Sequence, residues 1–216
     1  MGVLHGSMSY LRFAVIGTVP SNYVEQYEST MEMRRFIPLH PEAEDIDSAG
    51  WVPAQKPFAD DEPITNAHFL FGERMVFAFR EDVMSYPKPM LRDLVAQRLD
   101  QYREKTGAEP HGEIRHKAEL AVRAELRRKI LPRSKVVDVL WDHSRAELRF
   151  FSRGKGVVER FTKLFEQTFS MQLREKTFAD LAISAELSLR EKGMLEGLRP
   201  HEIFALKQRV EAEAYG

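Results

Sequence analysis

The sequence predicts an α+β fold in which short antiparallel strands and hairpins pack with several helices. Three observations predict it. β-Branched and aromatic runs are short and closed by Gly, Pro or Asp-His-Ser turn residues. Longer segments between them repeat their apolar residues at helical spacing. Two pairs of apolar runs are separated only by turn signals, which makes them hairpins and the pairing antiparallel. The chain has 216 residues, 43% hydrophobic and 30% charged. That supports a real core, in one domain or in one domain with an appendage.

In chain order, "YLRFAVIGTVP" (10–20) reads as a strand closed by Gly17 and Pro20. Ser21 is the expected N-cap of a helix over "NYVEQYESTMEMRRF", with Val24, Tyr27, Met31 and Phe36 as its apolar face. Residues 37–63 are acidic and turn-rich, a long connection with a short strand expected at Trp51 and Val52. Trp51 itself is expected to pack in the core. "NAHFLFGERMVFAFRED" reads as a hairpin, with His68–Phe71 and Met75–Phe79 as its strands and Gly72 in the turn. "YPKPMLRDLVAQRLDQYREKTG" reads as a helix, with Pro89 near its start and Gly107 as C-cap. Its apolar stripe is Met90, Leu91, Leu94, Val95, Leu99 and Tyr102.

A second helix over residues 113–130 carries Ile114, Ala118, Ala121, Val122, Leu126 and Ile130, and Pro132 ends it. "KVVDVLWDHSRAELRFFS" reads as two strands around Asp142–Ser144, and "KGVVERFTKLFEQTF" as a helix buried through Val157, Phe161, Leu164, Phe165 and Phe169. Residues 8–175 therefore form the α+β region, and residues 176–216 a helical C-terminal segment. Residues 1–7, "MGVLHGS", read as a cloning remnant because Gly-Ser precedes a second Met.

Cysteine is absent, which excludes a disulfide scaffold or a thiolate metal site and fits a reducing cytosol. No secretory signal pattern opens the chain. No apolar run approaches about 18 residues, so no membrane-spanning helix is expected.

The net charge is −1, but it is unevenly placed. Residues 111–135 hold Arg115, Lys117, Arg123, Arg127, Arg128, Lys129, Arg133 and Lys135 against Glu113, Glu119 and Glu125. On a helical wheel Lys117, Arg123, Arg127 and Arg128 fall opposite the apolar arc. An ordinary solvated helix face, favoured by the macrodipole near its C-terminus, and a phosphate-binding face both fit this pattern. Arg145, Glu147 and Arg149 alternate along the second hairpin strand and so share one face. Arg153 and Lys155 follow at its exit.

Other chemistry is thinly represented. His111 and His116 are five residues apart, the wrong spacing for two ligands on one helix face. Asp142 and Glu147 faintly resemble the carboxylates of a metal-dependent nuclease, but Arg149 stands where a lysine is wanted. No Walker loop, Gly-x-Ser-x-Gly or His-Glu-x-x-His motif is present. The expectation is a non-enzymatic protein without cofactor or metal.

The order of segments resembles the RdgC family, the recombination-associated proteins of bacteria. The residues that carry the likeness are "GWVP" (50–53), "NAHFLFGERMVFAFRED", "YPKPMLRDLVAQRLDQYREKTG", "HKAELAVRAELRRKILPRSK" (116–135) and "VDVLWDHSRAELRFFSRGKGVVERFTKLFEQTF". They cover roughly residues 9–175. The resemblance implies a homodimeric, sequence-independent binder of double-stranded DNA that encircles the duplex and limits access of the RecA recombinase. It also implies a cytoplasmic, nucleoid-associated location. Lys117, Arg123, Arg127, Arg128, Arg133, Lys135, Arg145 and Arg149 are the residues expected to meet phosphate. The chain departs from the family by its shorter C-terminal region and by Ser134-Lys135 after Leu131-Pro132-Arg133. Two alternatives stand beside this reading: a protein-interaction module of the same fold, or a nuclease.

Overall fold

Two ten-residue strands, β4 (Arg74–Val83) and β5 (Arg133–Asp142), pair along their full length and form the spine of the molecule. The computed structural model describes residues 9–40 and 45–177, together with Asp180 and Arg190. Around the spine, β1 (Leu11–Ile16), β2 (Asp47–Val52), β3 (Leu70–Phe71), β6 (Glu147–Phe150) and β7 (Gln172–Glu175) complete one antiparallel sheet in the order β2-β4-β5-β6-β1-β7, with β3 also on β4. The expected α+β class is therefore correct, although a single sheet replaces separate short hairpins.

Alternation along the strands gives the sheet two different faces. On the inner face, Met75, Phe77, Phe79, Val137, Val139, Trp141, Leu148, Phe150, Phe13 and Val15 are buried. Helix α5 (Lys155–Phe169) lies on them through Phe161, Phe165 and Phe169, and α1 (Tyr23–Met33) adds Tyr27 and Met31. The rings of Phe150 and Phe161 stack with centroids 4.0 Å apart. Each such side chain removed from water stabilises the fold by about 1.5–3 kcal/mol. Trp51 is fully buried here, as expected, and its indole N–H donates to Thr168 Oγ1 at 2.8 Å.

The outer face is covered differently. Phe36, Val52, Ala54 and Ala78 make a small separate cluster over β4. Beside it Arg80 is buried between the rings of Phe36 and Phe58, 4.0 and 4.7 Å from its guanidinium carbon. It donates to both carboxylate oxygens of Asp82, to Asp60 and to the Pro57 carbonyl. This clasp fastens residues 57–60 onto β4. Gly50 lies against the chain at Arg35–Phe36, where a Cβ would come within 2.4 Å of Phe36 backbone atoms.

Helices α3 (Lys88–Thr106) and α4 (Gly112–Arg127) form a hairpin that packs on itself. Gly107 ends α3 with a left-handed φ of 67°, as its C-cap role requires. The predicted stripe of α3 is not a core stripe: no α3 residue is buried, and Met90 is 44% exposed. Ala118, Val122 and Leu126 of α4 are buried, but none belongs to the sheet's core.

Several boundaries differ from expectation. Asn22, not Ser21, occupies the N-cap of α1. Strand β2 reaches back to Asp47 rather than spanning only Trp51 and Val52. His68 is not in a strand: Asn66–Phe69 form a short helix, α2, whose Thr65 and His68 close a capping box. Helix α4 stops at Arg127 instead of Ile130. The expected C-terminal helical segment and residues 1–7 lie outside the described residues, apart from Lys176, Thr177, Asp180 and Arg190. Among the described residues no helix is long and apolar enough to cross a membrane.

Candidate nucleic-acid interface

The basic helix α4 is less free than its wheel implies. Lys117 Nζ lies 2.6 Å from Glu113, Arg123 lies 2.6 Å from Glu119, and Lys129 lies 2.6 Å from Glu125. All three are pairs at four-residue spacing, the arrangement of an ordinary solvated face. Hydrogen bonding from Lys129, with Arg98 nearby, holds the Glu125 carboxyl below its usual range. Arg123 also sits over the Tyr86 ring at 5.7 Å. Arg127 is buried and donates to the Asp45 carbonyl at 2.6 Å, so it braces the helix end rather than facing solvent. Arg128 is exposed but already has a partner.

The remaining predicted contacts do not share one surface. Arg145 lies in the turn before β6, not on the strand, and its N–H donates to Asp142. Arg133 starts β5 and this turn follows the strand's end, so the two are separated by about 30 Å of extended strand. Arg149 is opposite Leu140 in the register, whereas Lys135 is on the alternate face with Val137 and Val139. Arg149 pairs with Glu147 at 3.1 Å and lies over Tyr10. Asp142, read as a candidate nuclease carboxylate, accepts from Ser144 Oγ at 2.7 Å and from Arg145 N, and lies near Arg74. Those interactions keep it below the usual carboxylate range. Burial pushes the other candidate, Glu147, upward, but hydrogen bonds from Lys176 and Arg149 outweigh it. Among the described residues no group of three or more His, Cys, Asp or Glu is placed to hold a metal.

What the fold brings together is a smaller cluster at the root of the helical hairpin. Lys135 Nζ approaches Gly154 to within 3.5 Å of the position a Cβ there would take. Arg153 and Lys155 flank that glycine, and Arg133 is two residues before Lys135 on the same strand face. All four cations are exposed. Among the described residues no ion pair joins any of the four to a carboxylate, although Glu81 stands opposite Lys135 in the β4–β5 register.

Against models of known protein families and against curated proteins, the chain matches none.

The cluster's setting adds to its positive charge. Gly154 caps α5 without a side-chain hydrogen bond, and the first turn of α5 holds no acidic residue. A lysine at that end opposes the helix dipole instead of offsetting it. Arg153 and Lys155 stood in the sequence as the exit of a strand. Their meeting with Lys135 depends on β5 and α5 converging, which no local pattern records.

Proposed function

We propose that this protein is an RdgC-like, non-enzymatic binder of double-stranded DNA that contacts phosphates without reading sequence. The observation that carries this reading is the cluster of Arg133, Lys135, Arg153 and Lys155, four exposed cations with no carboxylate partner among the described residues. Cations that displace condensed counterions give affinity without base recognition. Arginine adds the planar fork that suits phosphate oxygens. Helix α4 and its internally paired charges flank this cluster rather than supplying its core. Dimerisation would set two such clusters around one duplex, since one subunit is too small to surround it. Occupying DNA in this way would limit the access of a RecA-type recombinase, as the resemblance implies.

The test is fluorescence anisotropy on two labelled duplexes of unrelated sequence at low salt. Equal affinity for both is expected. The charge reversals Arg133→Glu, Lys135→Glu and Lys155→Glu together should abolish binding while the circular dichroism spectrum is unchanged. Undiminished affinity in that variant, or no affinity in the wild type, refutes the proposal.

A further inference from the structure

A second basic surface lies on the opposite face of the sheet, at its β7 edge. Arg12 stands opposite Arg149 in the β1–β6 register, and the Lys176 N–H donates to the Arg12 carbonyl on the other side. Three cations thus line up across neighbouring strands. Like charges directly opposite one another destabilise a sheet. One carboxylate, Glu147, serves two of them, at 3.1 Å from Arg149 and 3.0 Å from Lys176. Arg174 extends the row on β7 and is 65% exposed, with Asp180 at 3.8 Å.

Beside this row is a backbone edge that no described residue pairs with. Strand β7 ends the sheet order and pairs only with β1 among the described residues. Since Lys176 N bonds to β1, alternation turns Arg174 and Gln172 toward β1 and leaves the N–H and C=O groups of Leu173 and Glu175 pointing outward. Such groups are satisfied by another extended backbone.

We propose that the β7 edge binds an extended peptide of alternating acidic and apolar residues, added as a further antiparallel or parallel strand. Its acidic side chains would lie beside Arg174 and Lys176, with Arg12 one strand behind them. Its apolar ones would lie beside Leu173, which already packs on the main core. A single-stranded nucleic acid fits less well. It cannot satisfy the outward amides, and the guanidinium carbons of Arg12 and Arg149, 5.5 and 5.6 Å from the Tyr10 centroid, already occupy that ring. A second copy fits less well too, because edge-to-edge pairing would set two Arg174–Lys176 rows side by side.

The test uses the full chain and a fluorescein-labelled (Glu-Val)5 peptide, with (Lys-Val)5 and an oligothymidylate as competitors. The acidic peptide should bind at low salt. Arg12→Glu with Arg174→Glu should weaken it by on the order of tenfold. Glu175→Pro should weaken it as much, because proline removes an outward N–H without touching the β1 ladder, whereas Glu175→Gln should not. Amide shifts in the wild type should centre on Leu173 and Glu175, which needs no variant. The Lys135→Glu variant should bind the peptide normally, which separates this site from the duplex site. No binding, binding indifferent to Glu175→Pro with unmoved Leu173 and Glu175 amides, displacement by the oligothymidylate but not by unlabelled (Glu-Val)5, or a dimer lost on Glu175→Pro would each overturn the proposal.

Discussion

Replacing Arg80 by alanine removes the clasp that fastens residues 57–60 to β4. The side chain is 7% exposed and its partner Asp82 is 2% exposed. The substitution leaves the Asp82 carboxylate buried without its cation, and it empties the space between Phe36 and Phe58. Breaking a buried pair by removing one partner costs about 3–5 kcal/mol. For a chain of this size each kcal/mol lowers the melting temperature by roughly 2–4 °C. The expected fall is therefore roughly 6–20 °C in a thermal melt followed by circular dichroism. Asp82→Ala alone should be comparably damaging. The double substitution Arg80→Met with Asp82→Leu should recover much of the loss, because no charge is then left stranded. A fall of only a degree or two in Arg80→Ala, or a double variant worse than the sum of the singles, would refute the reasoning that the pair stabilises by mutual compensation.

Two further predictions concern stability. Gly50→Ala forces a Cβ against the Phe36 backbone, and overpacking of this kind costs about 1–3 kcal/mol or more; denaturant unfolding at constant m-value checks it. The Asp142 and Glu147 carboxyls are held low in the folded chain, so their contribution is present above the unfolded carboxylate range and fades as pH falls through the folded values. Asp142→Asn should accordingly flatten the acid limb of a stability-versus-pH curve, and an unchanged limb would contradict the assignment.

The strands and helices that face the core were legible because one periodicity governs each. In α5 the residues Phe161, Phe165 and Phe169 recur at four-residue spacing and do meet the sheet. In β5 the buried set Val137, Val139 and Trp141 alternates strictly. Strand β7 was missed because Gln172–Glu175 is a short polar edge that buries nothing fully. Of the strand expected at His68–Phe71, Leu70 and Phe71 do pair with β4 as β3, whereas His68 and Phe69 belong to α2, whose start only a single capping threonine signals. The stripe of α3 was read correctly as helical, but amphipathicity does not say whether a helix seals against a sheet or against its neighbour.

The candidate site was only half legible. The carboxylates that engage Lys117, Arg123 and Lys129 stood four residues upstream of each, a signal the sequence contained. Arg127 was misplaced because the wheel treats a helix as isolated, whereas its last turn is covered by the backbone at Asp45. Lys135 and Lys155 are twenty positions apart, and only the closing of β5 on the start of α5 makes them neighbours.

The central claim is that Arg133, Lys135, Arg153 and Lys155, rather than the paired cations of α4, neutralise duplex phosphates. The salt dependence of duplex affinity tests it most directly. Four phosphate contacts from each chain predict a log–log slope of about −3.6 per bound chain, or a loss of about 100-fold per chain between roughly 50 and 200 mM salt. Lys135→Gln with Lys155→Gln should shallow that slope by about 1.8, while Lys117→Gln with Arg123→Gln should leave it nearly unchanged. A slope untouched by the first pair and reduced by the second would contradict the account.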